Sequence, residues 1–564
     1  MTANPNDPDD LRTRAEAWLA DDPDPVTRDE LRALVDRLPG SAAELADRFA
    51  GPLTFGTAGL RGPLRAGPNG MNLAVVSQAA AGLVGWLAAR AATGPLVIGY
   101  DARHGSRTFA ERTAQIATGA GRPALLLPRP LPTPVLAYAV RALGAAAGVM
   151  VTASHNPPQD NGYKVYLGAE LGGPRGAGAQ IVPPADAEIE AAIRAVGPLH
   201  EVPLGPAGEV LGDDLVAAYV GAAAAVLDPD GPRGLKVAYT PLHGVGAAVF
   251  TAAFARAGFG VPGIVAEQAE PDPDFPTVAF PNPEEPGATD LLLALAEKID
   301  ADLAIANDPD ADRCAVAVRG PDGQWRMLRG DELGVLLADR LIRRGITGLY
   351  ATTIVSSALL RAICAARGLP YDETLTGFKW IVRAESGSTP LVYGYEEALG
   401  YCVSPDLVRD KDGITAALTV AELAADLKAE GRTLLDRLDE LAAEFGVHLT
   451  DQLSLRVDDL REIRDAMDRI RADTPTTLLD APVTSVQDLL PEADVVILRT
   501  DAARVVIRPS GTEPKLKAYL EVVAPVDGPD GHADAADAVT LARRSATDAL
   551  VTLRTEIATA LGIR

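Results

Sequence analysis

The chain has 564 residues, of which 47% are hydrophobic, and a formal net charge of −25. This length allows roughly three to four domains, and the acidic balance disfavours nonspecific binding to nucleic acid or to anionic membranes. Cys314, Cys364 and Cys402 are far apart and unpatterned, which argues against a disulfide framework or a zinc site and favours a reduced, cytoplasmic protein.

The N-terminal region predicts neither export nor membrane insertion. Residues 1–10 are acidic and contain prolines, without the basic start and apolar stretch of an export signal. Residues 73–89, the most apolar run, are fewer than the ~20 residues that a membrane span needs, and they include Ser77 and Gln78. We therefore expect a soluble protein in which this run is a core helix.

The first 50 residues are predicted to form short helices packed on the first domain, because apolar residues such as Leu11, Leu31 and Leu34 recur at helical spacing. A glycine-dense segment, FGTAGLRG, follows at residues 55–62. It predicts a turn that presents Arg61 to an anion, although a tight turn without function would have the same composition.

Helices and strands then alternate as far as the last region. Strands are predicted at residues 96–100, 124–127, 145–151, 235–239, 303–306, 349–354, 391–393 and 504–507, and helices at 213–227, 290–299, 332–343 and in a helix-rich linker at 414–445. Residues 160–166 predict a hairpin-like turn, and the Gly- and Pro-rich residues 169–208 predict a domain boundary. The predicted fold class is α/β, with domains at residues 51–209, 210–325, 326–445 and 446–564 after the N-terminal extension.

The predicted strand at 145–151 ends in the turn Thr152-Ala-Ser-His-Asn-Pro157. Ser154 and His155 thus bring a hydroxyl and an imidazole to the carboxyl end of a buried strand, where open α/β sheets place their chemistry. The alternative is a turn in which the Ser154 hydroxyl only caps a backbone group.

Three carboxylates, those of Asp308, Asp310 and Asp312, alternate along a loop directly after the predicted strand 303–306. In an extended loop every second residue faces the same side, so these carboxylates converge and repel one another unless a cation binds. All-oxygen ligation favours Mg²⁺. An EF-hand is excluded because Arg313 and Arg319 occupy its required Gly and Glu positions. The alternative is a solvated acidic loop.

Two further polar loops follow predicted strands. Glu396, in GYEEALG at 394–400, is placed to accept hydrogen bonds from sugar hydroxyls, and Lys411 lies in a basic segment nearby. The last loop offers cations, hydroxyls and backbone donors that suit a phosphate, from Arg508, Ser510, Gly511, Thr512 and Lys515. A surface turn is the alternative for that loop.

The chain resembles the α-D-phosphohexomutase family (phosphoglucomutases and phosphomannomutases) in four motifs, which occur in the order TASHNP at 152–157, DPDADR at 308–313, GYEEALG at 394–400 and RPSGTEPK at 508–515. FGTAGLRG at 55–62 resembles the longer phosphoglucomutase-2-like branch, which also has an N-terminal extension. The resemblance implies a four-domain, heart-shaped protein. Three related α/β domains and a smaller α+β domain would each lend one loop to a central cleft.

The resemblance also implies a mechanism. Ser154 would carry a phosphoryl group, pass it to a sugar monophosphate and regain one from the resulting bisphosphate, which makes a sugar bisphosphate the activator. Asp308, Asp310 and Asp312 would hold Mg²⁺, with an oxygen of phosphorylated Ser154 as a further ligand.

The other residues implied by the resemblance fall into two groups. Arg61 and Arg313 would steady the transferring group, and Lys164, in preference to His155, would move the proton. The sugar and its second phosphate would be bound by Thr376, Gly377, Glu396, Lys411, Arg508, Ser510, Gly511, Thr512 and Lys515.

One position departs from the family pattern. Many members carry Ser two residues after the sugar-binding Glu, whereas this chain has Ala398, so the sequence leaves glucose and mannose undecided. We expect a cytoplasmic mutase that interconverts hexose 1-phosphate and hexose 6-phosphate. The alternatives are a phosphopentomutase, a glucose 1,6-bisphosphate synthase and a noncatalytic sugar-phosphate-binding protein. We expect a phosphosugar ligand, no nucleic-acid or membrane partner, and a monomer or weak homo-oligomer.

Overall fold

A computed structural model of the chain describes residues 7–55, 59–457, 459–510, 515–526 and 535–562. It divides into two compact units, Met1–Met327 with Gly400–Glu422, and Leu328–Leu399 with Leu423–Arg564. None of the helices in the described ranges combines the length and the apolar character that crossing a bilayer requires.

The first unit begins with three helices, α1 (Pro8–Asp21), α2 (Pro25–Asp36) and α3 (Ala42–Arg48). Asp7 and Asp24 cap the first two helices, each of which has a proline in its first turn. The predicted short helices are thus present, and their apolar faces bury a shared core that includes Ala66 from the next region.

A seven-stranded sheet follows. Its strands are β1 (Leu60–Pro63), β2 (Leu96–Tyr100), β3 (Ala124–Leu126), β4 (Ala147–Val151), β5 (Asp160–Leu167), β6 (Ala179–Gln180) and β7 (Glu209–Val210). The helices of this region are α4 (Leu73–Ala89), α5 (Ser106–Gly119), α6 (Thr133–Ala142), α7 (Ala169–Gly176) and α8 (Ala185–Arg194). The strand order is β1-β5-β4-β2-β3-β7, with β6 paired to β5.

The centre of this sheet is apolar and parallel. Every residue of β2 and of β4 is buried, as expected for parallel strands covered on both faces. The carboxyl ends of these two strands therefore meet at one edge, where Asp101 donates its backbone N–H to the carbonyl of Val151.

One prediction for this region was wrong. Residues 160–166 are not a turn but most of β5, which runs antiparallel to β4. Gly162 lies within this strand, where a Cβ would meet the carbonyl oxygens of Thr152 at 2.5 Å and Leu60 at 2.8 Å, so the close approach of the neighbouring backbones requires glycine. The Gly- and Pro-rich residues 169–208 contain α7 and α8, and Ile189 on α8 is buried in the core of this region.

The second sheet of this unit contains five strands, β8 (Val237–Thr240), β9 (Gly263–Ile264), β10 (Leu303–Ala306), β11 (Ala315–Arg319) and β12 (Trp325–Met327). Its helices are α9 (Asp214–Ala224), α10 (Ala247–Arg256) and α11 (Asp290–Lys298). The strand order is β12-β11-β10-β8-β9, in which β9, β8 and β10 are parallel and β11 and β12 are antiparallel. The loop that carries Asp308, Asp310 and Asp312, called the aspartate loop below, begins where the buried strand β10 ends.

The second unit opens with α12 (Gly330–Arg343), β13 (Leu349–Thr353), α13 (Leu359–Arg367), β14 (Tyr371–Thr374), α14 (Phe378–Ile381) and β15 (Leu391–Glu396). Strand β13 lies between β14 and β15, and all three are parallel. Strand β16 (Gly400–Cys402) and the start of α15 (Gly413–Ala429) belong to the first unit. Helix α15 is no linker, because residues such as Leu418 and Leu423 are buried along it.

The C-terminal region contains a five-stranded antiparallel sheet in the order β17-β23-β22-β21-β20 and a separate antiparallel pair, β18-β19. Its elements are α16 (Leu434–Phe445), β17 (Val447–Arg456), α17 (Leu460–Ala472), β18 (Thr477–Leu478), β19 (Ala481–Pro482), β20 (Ser485–Asp488), β21 (Val496–Arg499), β22 (Ala503–Pro509), β23 (Lys515–Ala524) and α18 (Ala535–Leu561). Leu550, Leu553 and Ile557 of α18 follow helical spacing and are buried in the core formed with this sheet. The predicted α/β fold class, with a distinct α+β region at the end, is confirmed.

Candidate active site

Ser154 lies in the turn that follows β4, and its backbone is in the left-handed region with φ of 51°. That conformation costs a residue other than glycine about 1–2 kcal/mol and persists where the surrounding structure enforces it. The Ser154 hydroxyl donates a 2.7 Å hydrogen bond to Asp308 Oδ2 and lies 3.2 Å from His155 Nδ1. The turn thus directs the hydroxyl at the aspartate loop.

His155 stands beside this hydroxyl as a neutral ring. Burial and the positive charges of Arg313 and Arg61 hold the pKa of His155 well below 6.5. A neutral imidazole can exchange a proton with a neighbouring hydroxyl, so the geometry is compatible with the predicted role of His155.

Asp308, Asp310 and Asp312 form one buried cluster, as the sequence predicted. One carboxylate oxygen from each of the three lies within 4.8 Å of those from the other two. Ala311, between the last two, has φ of 52°, and its N–H bonds the carbonyl of Asp308 to close a tight turn. The turn, rather than an extended loop, brings the three carboxylates to one point.

Two lysines balance the charge of this cluster. Lys164 on β5 donates to Asp310 Oδ2 at 2.8 Å and to Asp312 Oδ2 at 3.0 Å, and Lys411 Nζ lies 3.1 Å from Asp312 Oδ2. Burial alone would lower the pKa of Lys164, but the charges of Asp310 and Asp312 outweigh it and raise that pKa. Lys164 is therefore held as a cation against these aspartates, and Lys411 lies against Asp312 beside it.

The pKa values of two of these aspartates shift in opposite directions. Burial and the charges of Asp310 and Asp312 raise the pKa of Asp308 well above its usual value. Burial also opposes ionisation of Asp312, but Lys164 and Lys411 outweigh it and lower the pKa of that carboxyl. A bound divalent cation would remove the repulsion that raises the pKa of Asp308.

Two carboxylate oxygens of the cluster identify where a cation would bind. Asp310 Oδ1 and Asp312 Oδ1 are buried and have no hydrogen-bond partner among the described residues. Buried carboxylate oxygens without donors are costly unless a cation binds them. Carboxylates suit Mg²⁺, so the three aspartates fit a magnesium ion.

Arg61 and Arg313 both lie near His155 and the aspartate cluster. Arg61 on β1 donates to the side-chain oxygen of Asn156 at 2.8 Å. Arg313 Nε lies 3.9 Å from Asp308 Oδ2, and the Arg313 backbone N–H donates to Asp308 Oδ1. The residues predicted for phosphoryl transfer are therefore collected within the first unit.

Two residues that were not predicted from the sequence shape this site. Arg103 donates hydrogen bonds to four backbone carbonyls of the Ser154 turn, and the Thr133 hydroxyl donates to Asp310 Oδ2 at 2.6 Å. Arg103 follows β2 in the stretch Asp101-Ala-Arg, and this position after a strand was the only available signal. No pattern in the sequence indicated Thr133.

The predicted sugar-binding residues lie in the second unit. Glu396 Oε1 accepts the backbone N–H of Gly377 at 3.2 Å, so the two predicted loops meet, with Thr376 preceding that contact. Glu397 is held differently, because its Oε2 accepts bonds from the hydroxyls of Thr353 and Ser356. Glu396 is therefore the carboxylate of this pair associated with the Thr376 and Gly377 loop.

Part of the predicted phosphate loop is described in the same unit. Arg508 is one of the two half-buried residues at the end of β22 and hydrogen-bonds the Tyr519 hydroxyl. The Ser510 N–H donates to the carbonyl of Lys515 at 2.7 Å. That bond closes the loop between β22 and β23. Gly511 and Thr512 lie outside the described residues.

Comparisons with known proteins cover most of the chain. Models of phosphoglucomutase/phosphomannomutase α/β/α domains I, II and III match residues 52–198, 217–323 and 329–445, and the model of the C-terminal domain matches residues 453–527. A Haemophilus influenzae protein named "Probable phosphomannomutase" is 45% identical over 460 residues, which cover 80% of this chain and 93% of that protein.

Two further proteins resemble the chain over nearly its full length. Mouse phosphopentomutase is 34% identical over 576 residues, covering 91% of this chain and 90% of the mouse protein. A solved structure of a Burkholderia thailandensis phosphoglucomutase/phosphomannomutase family protein has a TM-score of 0.65 at 21% identity, covering 88% of this chain and 97% of its own. This structural likeness supports the fold alone.

Proposed function

The chain belongs to the phosphoglucomutase/phosphomannomutase family, and from that premise we propose that it moves a phosphoryl group between the two ends of an aldose phosphate through phosphorylated Ser154. Enzymes of this family are mutases and thus isomerases, and the chain is an enzyme of this type.

One contact supports the proposal above all others, the 2.7 Å hydrogen bond from the Ser154 hydroxyl to Asp308. It places the proposed phosphoryl carrier against the carboxylate cluster that fits a divalent cation. Magnesium held by Asp308, Asp310 and Asp312 would neutralise charge on the transferring group.

The proposed reaction has two transfers. In the first, the bond between phosphorus and Ser154 Oγ breaks while phosphorus bonds a free hydroxyl oxygen of the sugar monophosphate, whose proton passes to a base. In the second, the original phosphate of the bisphosphate returns to Ser154, and the sugar oxygen regains a proton. Arg61 and Arg313 would hold the phosphoryl group during both transfers, since this chemistry depends on positioning and charge neutralisation.

His155 and Lys164 remain our candidates for the proton transfers. His155 Nδ1 is 3.2 Å from Ser154 Oγ, and Lys164 contacts two aspartates of the cluster. Lys411 also contacts the cluster. We therefore propose that Lys411 contributes positive charge near the transferring group, while its predicted contact with the other phosphate stays a prediction.

The second unit would bind the rest of the substrate. Glu396, with Thr376 and Gly377 beside it, would hold the sugar hydroxyls. The non-transferring phosphate would be bound by Arg508, Ser510, Gly511, Thr512 and Lys515. A sugar bisphosphate would phosphorylate Ser154 and so act as activator.

For the sugar, we propose a hexose, either glucose or mannose, interconverted between its 1-phosphate and 6-phosphate. The 45% identical relative named "Probable phosphomannomutase" supports this choice. A pentose phosphate is the second candidate, because the mouse phosphopentomutase aligns along nearly the whole chain and because Ala398 offers no hydroxyl to the sugar.

The test is turnover of the 1-phosphates of α-D-glucose, α-D-mannose and α-D-ribose in parallel, with Mg²⁺ and with or without the matching bisphosphate. A higher kcat/KM for a hexose would support the first candidate, and a higher kcat/KM for ribose the second. Release of bisphosphate without isomerisation would instead identify a bisphosphate synthase. No transfer to or from any sugar phosphate would contradict the proposal.

A further inference from the structure

One buried side chain binds the backbone of the turn that carries Ser154 at four points. Arg103 Nη2 donates to the carbonyls of Ser154 at 2.7 Å and Asn156 at 2.5 Å. Arg103 Nη1 donates to the carbonyls of Pro157 at 2.7 Å and Asp160 at 3.1 Å. All four acceptors are backbone atoms, so the guanidinium fixes the path of the chain from 154 to 160.

The guanidinium is itself held by a carboxylate and by an aromatic ring. Arg103 Nε lies 3.4 Å from Asp101 Oδ2, and Asp101 Oδ1 accepts both the Arg103 backbone N–H and the Ser106 hydroxyl. The ring of Phe275 lies with its centroid 4.9 Å from the guanidinium carbon. Only 4% of Arg103 is exposed, so water does not compete for its hydrogen bonds.

The turn needs such support because its conformation is unfavourable by itself. Ser154 is held at φ of 51°, and four carbonyls of the turn converge on one point. Without the guanidinium those carbonyls would lose the donor that they share, and the turn would relax toward ordinary backbone angles. The Ser154 hydroxyl would then no longer point at Asp308.

We propose that Arg103 is a positioning residue for phosphoryl transfer, which holds Ser154 in the conformation that aims its oxygen at the aspartate cluster. This inference rests on the proposed function. It adds a residue that has no described hydrogen bond to the Asp308, Asp310 and Asp312 cluster or to the Ser154 hydroxyl. Its planar fork of donors explains why arginine is required, because lysine cannot reach four carbonyls in one plane.

The experiment compares the full-length protein with Arg103→Ala, Arg103→Lys and a control, Arg107→Ala, whose side chain is 77% exposed and pairs only with Glu111 among the described ion pairs. Steady-state turnover with Mg²⁺ gives kcat and KM, mass spectrometry after incubation with sugar bisphosphate gives phosphate on Ser154, and thermal unfolding gives Tm. Arg103→Ala is also assayed with guanidinium ion and, separately, with ammonium ion at the same low concentration.

We expect Arg103→Ala to lose about 100-fold in kcat, the cost of misplacing a reacting group by about 1 Å. KM should change little, because the proposed sugar-binding residues lie elsewhere. Guanidinium should recover part of the lost kcat where ammonium does not, and Arg107→Ala should match the wild type. Arg103→Lys should fold and remain impaired.

A kcat near that of the wild type in either Arg103 variant would overturn the inference. The inference would also be overturned if Arg103→Ala folds and its kcat is restored equally by guanidinium and ammonium, or by neither. If Arg103→Ala does not fold, the test is made with Arg103→Lys. A reduced kcat and slower phosphorylation of Ser154 would support the inference, and wild-type values would overturn it. A wild-type protein that never takes phosphate on Ser154 would instead contradict the proposed function itself.

Discussion

Ser154 and Asp308 are 154 positions apart in the chain, and the hydroxyl of the first donates a 2.7 Å hydrogen bond to the carboxylate of the second. Each follows a buried strand, Ser154 after β4 and Asp308 after β10. Parallel sheets place functional loops at the carboxyl ends of their strands, and here two such loops from different sheets meet. This contact joins the proposed phosphoryl carrier to the proposed metal ligands.

Removal of divalent metal should abolish turnover, and Mg²⁺ should restore it, because the oxygens Asp310 Oδ1 and Asp312 Oδ1 have no other partner among the described residues. Asp312→Asn should weaken Mg²⁺ binding by at least about tenfold, as loss of a supporting group in a metal site already does. Isothermal titration calorimetry measures this independently of activity.

Asp322→Asn provides the matched control for that experiment. Asp322 is exposed and accepts the backbone N–H of Gln324, which an asparagine oxygen can also do. Full turnover in excess chelator, or equal Mg²⁺ affinity in the two variants, would show that the aspartate cluster is not a metal site.

Glu396→Gln should raise KM for the sugar phosphate, because a neutral amide accepts hydrogen bonds from sugar hydroxyls more weakly than a carboxylate does. A loss of about 1–3 kcal/mol corresponds to roughly a 5- to 140-fold increase in KM, if KM follows binding. Glu397→Gln is the neighbouring control, since Glu397 binds the hydroxyls of Thr353 and Ser356. Steady-state kinetics of both variants would refute the assignment if Glu397→Gln had the larger effect on KM.

Glu521 should make the second unit sensitive to acid. Burial raises the pKa of this carboxyl, but the charge of Arg504 and the bonds from His448 and Ser357 outweigh burial and lower it to about 2. A folded pKa below the ordinary value near 4.5 means that the stabilisation is complete above that pH and is lost as pH falls toward 2. At neutral pH it amounts to roughly 3 kcal/mol.

Glu521→Gln should therefore destabilise the second unit at pH 7 and have less effect near pH 2. Breaking a buried ion pair costs about 3–5 kcal/mol, and here Arg504 lies 2.9 Å from Glu521. Hydrogen exchange at the Ala358 amide, which donates to Glu521, measures the local effect. Glu462→Gln, at an exposed position in α17, is the control, and equal exchange in both variants at pH 7 would contradict the prediction.

The sequence predicted those parts of the fold and site that depend on local patterns. Apolar runs gave the strands Leu96–Tyr100 and Leu303–Ala306 with their observed bounds, because buried parallel strands are continuously apolar. The polar residues directly after such strands, Ser154 and Asp308 among them, then indicated where chemistry would lie. Helix α4 was equally clear, from one long apolar run in which Ser77 and Gln78 are the polar residues.

Other features depend on contacts between distant residues and left no pattern in the sequence. Arg103 binds backbone carbonyls, which every residue has, so no sequence motif marks its partners. Lys411 lies beside Asp312 because residues 400–422 pack with the first unit, although they follow the second unit's strands in the chain. Residues 160–166 suggested a turn, whereas glycine is required at position 162 by the close approach of neighbouring backbones.

The most direct test of the central claim is to incubate the wild-type protein and Ser154→Ala with a sugar bisphosphate and Mg²⁺, and to locate the phosphate by peptide mass spectrometry while measuring turnover. We predict phosphate on Ser154 in the wild type and none in the variant. Because Ser154→Ala lacks the hydroxyl that contacts Asp308, this variant should also lose nearly all turnover. Wild-type turnover by Ser154→Ala, or phosphate on another residue that supports turnover, would contradict a mechanism through phosphorylated Ser154.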